Sequence, residues 1–108
     1  MAMQVQVTRW RSSTEPPDPD RLLAGLRASG RDYASWGNGP ADTYAVHTHP
    51  YRKHLVCLRG SITFTLPASG EAIELRPGDE LDLPPGVAHG ALVGPDGVRC
   101  AEVHLGAG

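Results

Sequence analysis

Gly78-Asp79-Glu80-Leu81-Asp82-Leu83-Pro84-Pro85-Gly86-Val87-Ala88-His89 is the stretch from which the fold of this chain is read. Pro77-Gly78-Asp79 has the residues of a tight turn, with proline fixing one φ and glycine free to take a positive one. Glu80–Leu83 alternates acidic and leucine side chains, the period of a strand with one buried face. Pro84-Pro85-Gly86 is a second, stiffer turn. It aims His89 into the start of another apolar segment.

Outward from this stretch the same pattern repeats. Short apolar runs at residues 44–48, 54–58, 62–66, 72–75, 88–93 and 98–105 are separated by turn residues at 59–60, 68–70 and 94–97. Ile62-Thr63-Phe64-Thr65-Leu66 alternates apolar and hydroxyl side chains, so one face is expected to be buried and the other wetter. Seven closely spaced strands imply a sandwich or barrel. Residues 4–11 add an edge strand around Val5 and Val7. A proline-rich link at residues 16–19 leads into the one helical pattern, residues 20–29, where Leu22, Leu23 and Leu26 share a face. Asp18 or Asp20 is placed to cap this helix and Gly30 to end it.

The chain has 108 residues, enough for one compact core and too few for separate catalytic and binding domains. A single domain is expected over residues 1–108, with residues 1–32 giving the N-terminal strand and accessory helix and residues 33–105 the barrel. With 13 Gly and 10 Pro the composition is turn-rich. A formal net charge of -2 provides no general attraction for nucleic acid or anionic membrane, and neither is expected as a partner. No apolar run approaches the roughly 20 residues of a membrane span, and the first residues, MAMQVQVTRWR, lack a signal peptide's apolar stretch. The cytoplasm is the expected location. Cys57 and Cys100 have neither zinc-knuckle nor redox-motif spacing and are read as buried thiols in strands.

Three of the five histidines carry the chemistry. His47 and His49 stand two apart, which in a strand places both imidazoles on one face, about 6 to 7 Å apart. His89 reaches the same point if its strand neighbours theirs. A His-x-His pair alone is weak evidence, and its company is what gives it meaning.

That company resembles the two signature motifs of the cupin superfamily, in the small single-domain, or monocupin, form. The pattern G-x5-P-x-G-x2-H is filled at every fixed position from Gly78 to His89. The pattern G-x5-H-x-H-x3,4-E-x6-G is matched by His47, His49 and Gly60. Its leading glycine falls at Ala41, and its glutamate is missing: Lys53 or His54 stands there, depending on the spacing. The resemblance spans residues 41–93 and implies an all-β cupin (jelly-roll-like) barrel with a divalent-metal site. His47, His49 and His89 are the implied ligands, and His54 is expected as a fourth if its ring turns inward. Lys53, turned inward, would repel a dication unless it is deprotonated, swings away or binds an anion held by the metal. Strand alternation leaves the two open, since Lys53, Leu55 and Cys57 share one face and His54, Val56 and Leu58 the other.

Histidine ligation suits zinc, nickel, copper, iron or manganese without choosing among them. Neutral imidazoles leave the ion its full charge, so a small anionic ligand or substrate is expected. The family hosts oxygenases, isomerases and lyases. A non-catalytic small-ligand-binding or sensing module, or a barrel with a vestigial site, is the alternative. Glu102 and His104 are read as a solvent-facing row, with a cavity-facing acid or base as the other possibility, and Trp36 and Tyr44 as core or pocket wall. Tyr51 offers a phenol either to the metal or to solvent. The apolar sheet faces and the N-terminal edge strand lead to an expected homodimer.

Overall fold

A computed structural model describes residues 4–10 and 17–106. Seven strands and one helix follow in the order β1 (Gln6–Thr8), α1 (Pro19–Arg27), β2 (Ala34–Asn38), β3 (Thr43–His47), β4 (Arg52–Leu66), β5 (Glu71–Leu75), β6 (Glu80–Leu83) and β7 (His89–Leu105). Arg11 and the first part of the proline-rich link lie outside the described residues.

Two long antiparallel strands organise everything else. β4 and β7 pair along their whole length, from Arg52 opposite Leu105 to Thr65 opposite Gly90. The register shifts twice in the middle, between Cys57 and Arg59 and between Gly60 and Ile62. Residues 59–60 and 94–97, expected as turns, are thus bends inside continuous strands. Gly60 adopts φ 73° with the Gly97 backbone packed against it, and a Cβ built there would lie 2.0 Å from the Gly97 carbonyl oxygen. Glycine is required by both conformation and space.

The bends divide one hydrogen-bonded sheet into two layers, as strands that switch sheets do at a corner. The first half of β4 and the second half of β7 form a layer with β6, β1 and β2. Their other halves form the second layer with β5 and β3. This is a double-layered all-β barrel, as the strand pattern predicts, with β1 hydrogen-bonded into the sheet beside β6.

The interior holds Leu55, Cys57, Leu81, Leu83 and Cys100 from one layer and Ile62, Phe64, Leu66, Ile73, Leu75, Ala91 and Val93 from the other. Full burial of each leucine or isoleucine stabilises by about 1.5–3 kcal/mol relative to exposure. Cys57 and Cys100 are register partners, fully buried and unbridged. A hydrogen bond between them, together with burial, holds the Cys100 thiol far above its ordinary pKa.

Helix α1 covers the outer face of the first layer. Asp18 caps it, its side chain accepting from the backbone N–H groups of Asp20 and Arg21 at 3.0 Å each. Leu23, with Leu22 and Leu26 beside it, packs on Leu58, Ala101, Val103 and Tyr33. The apolar character of both faces of β4 is thereby explained. One face lines the barrel and the other lies under the helix. No helix among the described residues is long and apolar enough to cross a membrane.

Candidate metal centre

Two turns bring the histidines together. The turn ahead of β6 is fixed by Asp79, whose carboxylate accepts from the backbone N–H groups of Arg76 and Trp10, each at 2.9 Å, and from the Arg9 guanidinium. It docks on β4 through Gly78 N–H to Cys57 O and Cys57 N–H to Asp79 O. The turn after β6 docks on the first histidine segment, Gly86 N–H donating to the His49 carbonyl at 2.8 Å. His89 then opens β7 as the register partner of His47, the last residue of β3.

The ring centroids of His47 and His89 are 4.5 Å apart, those of His47 and His49 4.6 Å, and those of His49 and His89 5.4 Å. One ligand atom from each of the three lies within 4.8 Å of the others. His49 stands beyond the end of β3, so strand alternation is not what aligns it with His47. The loop held by Gly86 does that.

Each ring is oriented through Nδ1. His47 Nδ1 bonds to the Ala45 carbonyl at 2.7 Å, His89 Nδ1 to the Val87 carbonyl at 2.9 Å, and His49 Nδ1 to the Tyr51 hydroxyl at 3.0 Å. A carbonyl partner requires the proton on Nδ1, which leaves Nε2 with a free lone pair. His89 Nε2 is buried and has no hydrogen-bond partner among the described residues. An unsatisfied buried nitrogen costs about 1–3 kcal/mol. Outer partners that fix the tautomer, with Nε2 left open, are what metal-ligating histidines require. The residues present therefore fit a divalent ion.

The surroundings favour the neutral form of His49 and His89. Burial lowers the His49 pKa, helped by the charge of Lys53 and by His47 and His89. Burial also lowers that of His89, opposed by its bond to Val87 and reinforced by Lys53 and His47. Neutral imidazole is the form that binds metal.

His54 does not join them, which corrects the expectation of a fourth ligand. It lies on the outer face of β4, with Nδ1 2.5 Å from the Tyr33 hydroxyl and Nε2 2.9 Å from Glu80 Oε1. Lys53 takes the inward position. Its side chain lines the same cavity as the three histidines, and Nζ lies 3.2 Å from Glu102 Oε1.

Glu102 is the residue that sequence reasoning placed wrongly. It faces the cavity instead of solvent, also accepting from Trp36 Nε1 at 3.1 Å and contacting His104 Nε2 at 2.5 Å. Burial favours its protonated form, but the partners His104 and Lys53 outweigh this and lower its pKa. The signal was its parity with Cys100, once α1 is recognised as the cover over Ala101 and Val103. Tyr51 also lies at the cavity, its ring stacked between His49 and His104 at centroid distances of 4.8 and 4.0 Å. Trp36, Tyr44, Ile62, Phe64 and Ala91 complete the wall of a cavity of about 280 Å³.

No protein-family model matches the chain, and no curated protein matches it. Solved structures do. The polyketide cyclase RemF from Streptomyces resistomycificus is similar at 27% identity, with a TM-score of 0.62 over 67% of this chain and 51% of that one. A conserved protein with a double-stranded β-helix domain from Klebsiella pneumoniae matches at 25% identity and a TM-score of 0.60, over 69% of this chain and 62% of that one. An RmlC-like cupin from Shewanella frigidimarina matches at 22% identity and a TM-score of 0.59, over 67% and 62%. The chain thus spans about half to three-fifths of the length of these proteins.

Proposed function

We propose that this chain, a cupin by fold and motif, is a mononuclear metal protein that binds a small oxygen-bearing molecule at His47, His49 and His89. The observation that carries the reading is the set of three imidazoles tied down through Nδ1, with the His89 Nε2 buried and unpartnered. Histidine ligation suits zinc, nickel, copper, iron or manganese. When bound, such an ion polarises a carbonyl or activates water at its open positions.

The chain's own residues supply the rest. Trp36, Tyr44, Ile62 and Phe64 give the ligand an apolar bed. Tyr51 orients His49, and Lys53 brings a cation beside the three imidazoles. Similarity to a polyketide cyclase supports reading the site as one that performs chemistry, of the oxygenase, isomerase or lyase kind.

The test is metal content. Protein purified without a histidine tag and without added metal is expected to hold close to one equivalent of a transition metal, and His89→Ala none. Stripped protein should gain thermal stability when one of the five metals is restored. Absence of metal in the wild type, with no stabilisation by any of the five, contradicts the reading.

A further inference from the structure

The sequence departs from its family's pattern at one chemically loud position, where a lysine stands in place of a carboxylate ligand. Lys53 is 8% exposed and lies in the cavity lining. A buried ammonium is costly unless it is paired. Glu102 Oε1 pairs it at 3.2 Å, yet that carboxylate is also held by Trp36 Nε1 and His104 Nε2, on the β2 side of the cavity. An ammonium has three donors. One contact to Glu102 leaves donor capacity for something else in the pocket.

The charge balance says what that something is. Three neutral imidazoles leave a divalent ion its full two charges. Lys53 and Glu102 offset each other, and Glu102 is the one acidic residue lining the cavity among the described residues. The loaded cavity therefore carries two uncompensated positive charges in a small, largely apolar pocket. The three histidines come from β3, its following loop and the start of β7, whereas Lys53 comes from the start of β4 in the opposite layer. The two sources of positive charge line one cavity and come from different layers of the sheet.

We propose that Lys53 is a second ligand anchor and that the site takes a small dianion of the dicarboxylate type. One carboxylate would ligate an ion held by His47, His49 and His89 and the other would hydrogen-bond Lys53 Nζ, with the carbon unit against Trp36, Ile62 and Phe64. This rests on the metal reading above and adds the substrate class. Glu102 holds Lys53 in place before the ligand arrives and shares it afterwards. The cavity volume of about 280 Å³ lies at the low end for ligand pockets, which fits a short diacid.

The experiment is calorimetric titration of stripped, then nickel-loaded, protein with matched acids: malonate against propionate, succinate against butyrate, and glutarate against valerate. Nickel is measured first. In the wild type at least one diacid should bind about tenfold or more tighter than the monoacid of equal length. Lys53→Met should keep one equivalent of nickel and lose that preference. Lys53→Met/Glu102→Gln, which leaves neither charge unpaired, should do the same and guards against a variant that fails to fold. Normal nickel uptake with no diacid preference in the wild type, or a preference that survives both variants, overturns the second anchor and leaves the metal site standing. If nickel is not taken up, the titration is run with whichever of zinc, copper, iron or manganese the wild type binds, and uptake of none of the five overturns the metal site and this proposal with it.

Discussion

At the scale of single residues, Ala41 and His54 separate fold from site. The family pattern wants glycine where Ala41 stands, and Ala41 has φ 62°, the left-handed region that a Cβ disfavours. Relief of that strain exceeds the extra chain entropy of glycine, so Ala41→Gly should stabilise the protein by about 0.5–1 kcal/mol. Chemical denaturation measures it, and a destabilised variant contradicts it. His54→Ala should behave in the opposite sense. It removes the partner of the Tyr33 hydroxyl and of Glu80, costing about 1–2 kcal/mol, while metal affinity stays unchanged. A drop in metal affinity would return His54 to the ligand set. The sequence left Lys53 and His54 undecided because both faces of β4 are apolar there. Only the helix packed on Leu58, Ala101 and Val103 tells the inner face from the outer. Glu102 was misread for the same reason, since its neighbours Ala101 and Val103 looked like the buried side of the strand.

At the scale of elements, most strands were legible because their alternation is strong. β2 was not. Ala34-Ser35-Trp36-Gly37-Asn38 has no period, and it is a strand because β7 offers it an edge, Trp36 facing Cys100. The bends in β4 and β7 were read as turns, since glycine punctuates both alike. The turn before β6 was legible as a turn, but its anchoring by a distant segment was not. Arg9 and Trp10 lie about seventy positions from Asp79 in the chain. Burial alone would raise the Asp79 pKa, yet the N–H groups of Arg76 and Trp10 and the Arg9 guanidinium hold it below its ordinary 3.8. A carboxylate whose folded pKa is depressed stabilises the fold above its unfolded value, and less as pH falls through the folded one. Asp79→Asn should therefore cost about 1–3 kcal/mol at pH 7, and the difference should begin to shrink only below about pH 4 and vanish as pH falls through the lower folded pKa. A difference that persists undiminished in acid contradicts this account of the turn.

At the scale of the whole molecule, the barrel works by closing two motifs on each other. Gly86 N–H reaches the His49 carbonyl, and His47 faces His89 across β3 and β7. The sequence named these three residues through motif spacing, although one step of the geometric argument, alternation through His49, does not hold. β1 has β6 on one side and no strand on the other among the described residues. An open edge of this kind favours pairing with a second copy. Light scattering is expected to give the mass of two chains, and a monomer at micromolar concentration contradicts it. The central claim is the metal, and crystals grown with nickel or zinc test it most directly through anomalous difference density collected at the absorption edge. One peak should lie among Nε2 of His47, His49 and His89, with His54 still bonded to Tyr33. No peak there, or a peak elsewhere that these three side chains do not touch, would contradict the account.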